Sequence, residues 1–430
     1  MSAPAAGTAP PPLLSERSVT RVDLAQIAAW TLLALCFLPR GGHFLGDEAE
    51  LYARALHVAE TLRPAAFGWH PSGSSLPMLG GGAIDLLAVP FLFTRNPLAG
   101  TVWVVLLSAL GALLFERALL RLAAPPELRL AATTFFVWSI WHARFADRIW
   151  NPHLLLFASP LLFYGTAVLR GGGRAPALRD GGGRASALRD AGVAFGWGLA
   201  AALCVQCHGS GVVPVALCAL MLLPLEGDRG LSPHFLWAAP LGLAVGYAPY
   251  LAADAPTGFA VLRAWTAAAP SRVDATAGRL ALESFAIFPS HAAVSFPAHP
   301  GHGLWSVASA ATFWIALVLA PLGFLVPGRW RFPCAAAVLL VPLSIWASRR
   351  GFTHSYVVAS IPFLILPAAA GLALVARRFR GLAAGYLAAF ALLGAGLLVR
   401  EYGRPGLEVP PPGGIAAAPG AAAPSPILPW

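Results

Sequence analysis

The chain has 430 residues, of which 57% are hydrophobic and 11% charged, a balance that excludes a soluble globular protein of this length. Its net charge of +10 comes from arginine alone, because all 29 basic residues are Arg. These cluster in short connectors between apolar runs, which excludes a nucleic-acid partner and marks membrane topology instead.

Residues 1 to 21 are polar and Pro-rich, and a disordered cytoplasmic N-terminus is expected there. Apolar runs long enough to span follow at 22 to 39, 98 to 118, 129 to 145, 151 to 169, 191 to 207, 209 to 225, 233 to 253, 303 to 327, 332 to 348, 353 to 376 and 381 to 399. The first has no convincing cleavage site and reads as an uncleaved signal anchor. The expected fold is therefore all-α, a polytopic transmembrane helix bundle of about 11 spans with external juxtamembrane helices. Residues 79 to 94 are short for a span and carry Asp85. If they stay on one side, the basic connectors at Arg117 to Arg129, Arg170 to Arg189, Arg229, Arg329 to Arg331 and Arg377 to Arg380 all share the side of Arg17 and Arg21. That side is the cytoplasm, and it leaves loops 40 to 97 and 254 to 302 outside, with a transmembrane module over 22 to 399. The Arg-only, Ala-, Gly- and Pro-rich composition points to a GC-rich bacterial genome and hence to the bacterial cytoplasmic membrane.

The stretch from 171 to 190 duplicates a decapeptide, GGGRAPALRD then GGGRASALRD, and with Arg170 it is expected as a flexible cytoplasmic linker over 170 to 190. Residues 400 to 430, mostly Pro, Gly and Ala, are expected as a disordered external tail. The five cysteines lie in or beside apolar runs and read as small buried hydrophobes. Cys204 and Cys207, followed by His208, match a haem-attachment spacing, but they sit inside an apolar span with no soluble fold to enclose a haem. Trp30, Trp69, Trp141, Trp150 and Trp305 fall at span ends, as interfacial belts do.

The first external loop begins an amphipathic helix at Asp47, with Leu51, Ala55, Val58 and Leu62 at helical spacing. Asp47 and Glu50 form an acidic capping box there. An adjacent Asp47-Glu48 pair directly after the first span is also where a base is needed for chemistry on a membrane-held molecule. Arg144 and Arg148 follow in an external turn, suited to a phosphate or to lipid headgroups. His70, His208 and His354 fall at external helix ends, where imidazole could join Asp47 or Glu48 around phosphate or a divalent metal.

With these residues in hand, the chain resembles the protein O-mannosyltransferases and aminoarabinose transferases, phospholipid-carrier-dependent members of the C-type integral-membrane glycosyltransferase superfamily. The Asp47-Glu48 pair stands where that family has its acidic pair. His70-Pro71 with Leu76-Pro77 stands where it has Lys-Pro-Pro-Leu, with His replacing Lys. Arg144, Asp147, Arg148 and Asn151 resemble its external Arg and Asp/Asn turn. Pro249-Tyr250-Leu251, with Asp254 and Gly258-Phe259, is similar to its Pro-Tyr-Leu segment, and His354-Ser355-Tyr356 before Ile361-Pro362 to its late His-x-Tyr. The resemblance runs from about residue 20 to residue 376. It implies a polyprenyl-phosphate-linked sugar donor, a lipid, glycan or protein acceptor and a surrounding membrane. Asp47 and Glu48 are then the catalytic residues, and His70, Arg144, Asp147, Arg148, Asn151, His208, Tyr250 and His354 bind substrate. No cofactor is fixed by these residues, and a divalent metal is the one candidate. The competing expectation is a transporter or flippase of lipid-linked glycans, which would place charges deeper in the bundle.

Overall fold

The computed structural model describes residues 15 to 38, 47 to 70, 76 to 171, 184 to 223, 232 to 267, 283 to 292, 304 to 326, 331 to 348 and 357 to 402. The duplicated linker core at 172 to 183, His354 with its Tyr356, and the tail from 403 lie outside them.

Among the described residues, regular structure is helical. The helices are α1 (Glu16–Phe37), α2 (Asp47–Thr61), α3 (Gly82–Ala88), α4 (Pro97–Arg121), α5 (Pro126–Trp138), α6 (Ile140–Arg144), α7 (Leu155–Gly171) and α8 (Arg184–Cys207). They continue as α9 (Val212–Leu222), α10 (Phe235–Gly246), α11 (Ala248–Asp254), α12 (Ala260–Ala267), α13 (Leu304–Gly323), α14 (Arg331–Ser348), α15 (Ile361–Ala376) and α16 (Arg380–Tyr402). Extended pairing is confined to one bridge, Phe67 with Leu79, which folds the first loop back on itself.

Seven of these helices are long and apolar enough to cross a membrane: α1, α4, α7 with its leading 3-10 turn, α8, α13, α15 and α16. The pair α10 and α11 makes an eighth if its 61° bend is counted as one broken span. The protein is therefore a multi-pass helical membrane protein by length and composition. The expected count of about 11 is not reached by single straight helices. The run at 129 to 145 breaks because Ser139 leaves the helix at ψ 136 and caps the next one through the Trp141 amide, leaving α5 only 13 residues. At about 1.5 Å per residue that falls well short of a roughly 30 Å hydrocarbon core. The run at 209 to 225 yields only the 11 residues of α9. Residues 79 to 94 form the seven residues of α3 and a 3-10 turn over Val89–Leu92, too short to cross.

The bundle is tightened by small residues. The closest neighbours are α8 with α10, α4 with α7, and α13 and α5 with α15. At the α8–α10 crossing a methyl group on Gly198 would fall within the envelope of the Ala239 carbonyl, and one on Gly242 within that of Phe195. Without a hydrophobic drive between helices in lipid, such backbone approach is what holds them.

Three expectations change here. The loop expected outside at 254 to 302 is not all exposed chain, because Ser284 to His291 are buried among the helices. Ser139 Oγ donates to the Ser290 carbonyl (3.2 Å), Trp141 Nε1 to the Ala292 carbonyl (3.2 Å), and the His291 amide to Thr312 Oγ1 (2.9 Å). The apolar Phe285, Ile287 and Phe288 carry this segment inward. Trp30 and Trp141 are not interfacial belts but core residues, exposed by 1% and 2%, with Trp30 edge-on to His142 at 4.3 Å. The last helix runs three residues into the expected tail, through Tyr402.

Candidate active site

The site grows from the first turn of α2. Asp47, Glu48 and Glu50 place three acidic side chains at its N-terminus, where the helix dipole favours them. Glu48, Leu51 and Ala55 share the buried face, whereas Asp47 and Glu50 are partly exposed. Leu62 drops out of the expected apolar stripe because the helix ends at it with a left-handed φ of 56° and 75% exposure.

Beneath Glu48 lies the connection between α6 and α7. Arg148 forks onto its neighbour Asp147, with Nε to Oδ1 at 2.8 Å and NH2 to Oδ2 at 3.1 Å, and its NH1 donates to Glu48 Oε1 at 3.2 Å. The Tyr402 hydroxyl, from the end of α16, donates to Asp147 Oδ2 at 3.1 Å. His153 Nδ1 stands 3.7 Å from Asp147 Oδ1. Residues distant in sequence thus meet on one carboxylate. Asp147 is 2% exposed and accepts three hydrogen bonds, two from Arg148 and one from Tyr402. Burial works against the charge on Arg148, but hydrogen bonds and charge from Asp147, then Glu48, outweigh it and raise its pKa further. A third of the Arg148 side chain stays exposed.

This geometry corrects the roles read for two residues. Arg148 is no spare cation waiting for phosphate, since two carboxylates already neutralise it, and Asp147 is an organiser rather than an open ligand. A guanidinium occupies the place between the carboxylates that a metal would need, and among the described residues no three His, Cys, Asp or Glu side chains gather so as to hold one. The described residues do not fit a metal.

The remaining expected residues divide. Arg144 lies on the same connection, its guanidinium 5.6 Å from the Trp141 ring. His70 belongs to a second cluster on α2: its Nδ1 is 3.2 Å from Glu50 Oε1 and 3.1 Å from Arg54 NH2, and Arg54 also pairs Glu50 at 2.8 Å. Asn151 is buried and donates to the Cys207 carbonyl at 2.7 Å, tying the start of α7 to the end of α8. His208 caps the following turn, accepting from the Ser210 amide at 3.2 Å. Tyr250 donates to Asp254 at 2.7 Å, and Asp254 in turn accepts from Thr257 and from the amides of Val261 and Leu262 at the start of α12. Tyr250 and the Asn151 Nδ2 group are therefore engaged within the fold, while Asn151 Oδ1 is buried without a hydrogen bond.

Sequence reading missed His153, Tyr402, Glu50 as a His70 partner, and Arg54. Arg54 was signalled by its i, i+4 spacing from Glu50; the others have no local signature. Compared with protein-family models, with curated proteins and with solved structures, the chain matches none.

Proposed function

We propose that the chain is a glycosyltransferase of the bacterial cytoplasmic membrane, moving a sugar from a polyprenyl-phosphate carrier to a lipid, glycan or protein acceptor at the external face. The observation that supports this reading is the cluster of Glu48, Arg148, Asp147 and Tyr402, which draws α2, the α6–α7 connection and the end of α16 together beside the partly exposed Asp47. The topology that goes with it takes all eleven apolar segments as spans, broken ones included, with the N-terminus and the arginine-rich connectors in the cytoplasm.

Asp47 is the base. It takes the proton from the acceptor hydroxyl, whose oxygen bonds to the anomeric carbon. The bond from that carbon to the phosphate oxygen breaks, and the electron pair leaves with polyprenyl phosphate. The leaving phosphate is ionised at neutral pH, so no general acid is needed. Arg144 faces the phosphate charge, while Arg148 is a positioning residue that fixes Glu48 and the first turn of α2.

The test is sugar transfer from a panel of synthetic polyprenyl-phosphate sugars in proteoliposomes, comparing the intact protein with Asp47→Asn. Turnover that collapses in the variant while donor binding and folding persist supports the assignment, and undiminished transfer removes Asp47 from the chemistry. One observation favours a lipid-linked glycan transporter instead: Asp23, Glu116 and Arg129 are charged residues with 0% exposure inside the bundle. Translocation of labelled glycan-lipid in the same vesicles, without transfer by any donor, would select that reading.

A further inference from the structure

At the arginine-rich end of the bundle, α1, α5, α15 and α16 leave a cleft of about 150 Å³. Val19, Leu130, Ala131, Ala373, Ala376 and Ala384 contribute to its walls, which are almost wholly apolar, and Glu127 is the one acidic residue among them. Alanines line it from both α15 and α16, and on α16 a methyl group at Gly381 or Gly385 would meet nothing within 4 Å. A space of this order accepts a small apolar group and stays dry when empty. The neighbouring surface of α16 is built for hydrocarbon, with Leu382 68% exposed.

The charge at the end of the cleft selects what enters it. Ala376 and Ala383 both line the cleft, so the turn that joins them, Arg377-Arg378-Phe379-Arg380, crosses its end. Arg377 and Arg378 are exposed, and Phe379 is 55% exposed beside them. Three guanidiniums against the single carboxylate of Glu127 make this end a cationic rim on an apolar slot, the complement of an anionic headgroup on a hydrocarbon tail. A neutral lipid would offer no anion to Arg377 and Arg378.

We propose that this cleft holds a few methylenes of one acyl chain of an anionic phospholipid, whose phosphate is paired by Arg377 and Arg378. The site lies at the opposite end of the bundle from the Asp147 cluster and does not depend on the glycosyltransferase reading.

The test titrates the detergent-solubilised full-length protein with phosphatidylglycerol, phosphatidylcholine or free oleate and counts bound lipid by native mass spectrometry. Phosphatidylglycerol is expected to bind preferentially. Arg377→Gln with Arg378→Gln should weaken it about thirtyfold, near fivefold for each lost cation. Ala384→Phe, at an exposed wall position, should weaken it by at least tenfold, with Ala384→Leu as the milder filling if the Phe variant loses its thermal unfolding transition. Arg17→Gln with Arg21→Gln, two exposed arginines of α1, should leave binding within twofold. Equal binding of phosphatidylcholine or oleate, no loss in either the rim or the wall variants, or an equal loss in the Arg17 and Arg21 control would each overturn the proposal.

Discussion

Two arginines in this protein each stand between two carboxylates, and the contrast between them separates a sealed anchor from an open candidate site. Arg129 lies between Asp23 of α1 and Glu116 of α4, its Nε 3.8 and 3.6 Å from their oxygens, with all three side chains at 0% exposure. Several atoms there, Asp23 Oδ2 and both Glu116 oxygens among them, make no hydrogen bond, while Arg129 NH2 reaches the Glu16 carbonyl and Thr20. Arg148 makes shorter, directed bonds to Glu48 and Asp147 and keeps a third of its side chain in the open. The same charge pattern is sealed and loosely made at one end of the bundle, and open and tightly made at the other. A sealed network fixes helices at the expense of desolvated charge; an open one can meet a substrate.

The largest effect that separates them is expected at Arg129. Arg129→Ala leaves two buried carboxylates facing each other and should cost about 3–5 kcal/mol of stability, read as lost thermal unfolding cooperativity in detergent. Replacing all three, Asp23→Leu, Glu116→Leu and Arg129→Met, should recover most of it, and failure to recover would make the network more than an anchor. Arg148→Ala should invert the pattern. Its partial exposure limits the stability cost to about 1 kcal/mol, whereas sugar transfer should fall on the order of 100-fold through misplacement of α2; a variant that keeps full turnover would break the comparison. Tyr402→Phe removes one hydrogen bond to Asp147 and should cost about 1 kcal/mol, with Asp147→Asn making the second Tyr402 substitution nearly silent in a double-mutant cycle.

A further effect of similar size concerns pH. Burial, opposed by the Ala65 amide, pushes Asp85 up to about 6 from 3.8. The folded state therefore prefers the neutral acid: the contribution is fully present below pH 3.8, is lost as pH rises through 6, and stays constant beyond. Asp85→Asn should flatten that slope, of order 1–2 kcal/mol, in unfolding measured between pH 4 and 7. An unchanged slope would put the titrating group elsewhere.

The sequence carried the helices well and the site poorly, for physical reasons. Apolar runs bounded by Arg announced α1, α4, α8 and α16 because burial in lipid demands an unbroken apolar length. The break at Ser139 stayed hidden inside an equally apolar run, its only sign a serine able to cap Trp141. In the site, Asp47 and Glu48 were legible from their place after the first span. Tyr402 was not, because its partner Asp147 is 255 residues away and no local pattern encodes so distant a meeting. Asn151 and Tyr250 were expected to face a ligand through the family resemblance, yet the Cys207 carbonyl holds Asn151 Nδ2 and the Asp254 carboxylate holds the Tyr250 hydroxyl.

The last helix also sets a timetable for assembly. Tyr402 completes the hydrogen bonds on Asp147, and the Phe390 carbonyl pairs with His291 Nε2 of the buried segment at 2.9 Å. A chain leaving the ribosome N-terminus first therefore threads nearly all its spans before either contact can form. The end of the bundle that carries Asp147 is assembled last, so a chain cut short before α16 enters the membrane as an unfinished bundle, with its polar seam open to proteolysis.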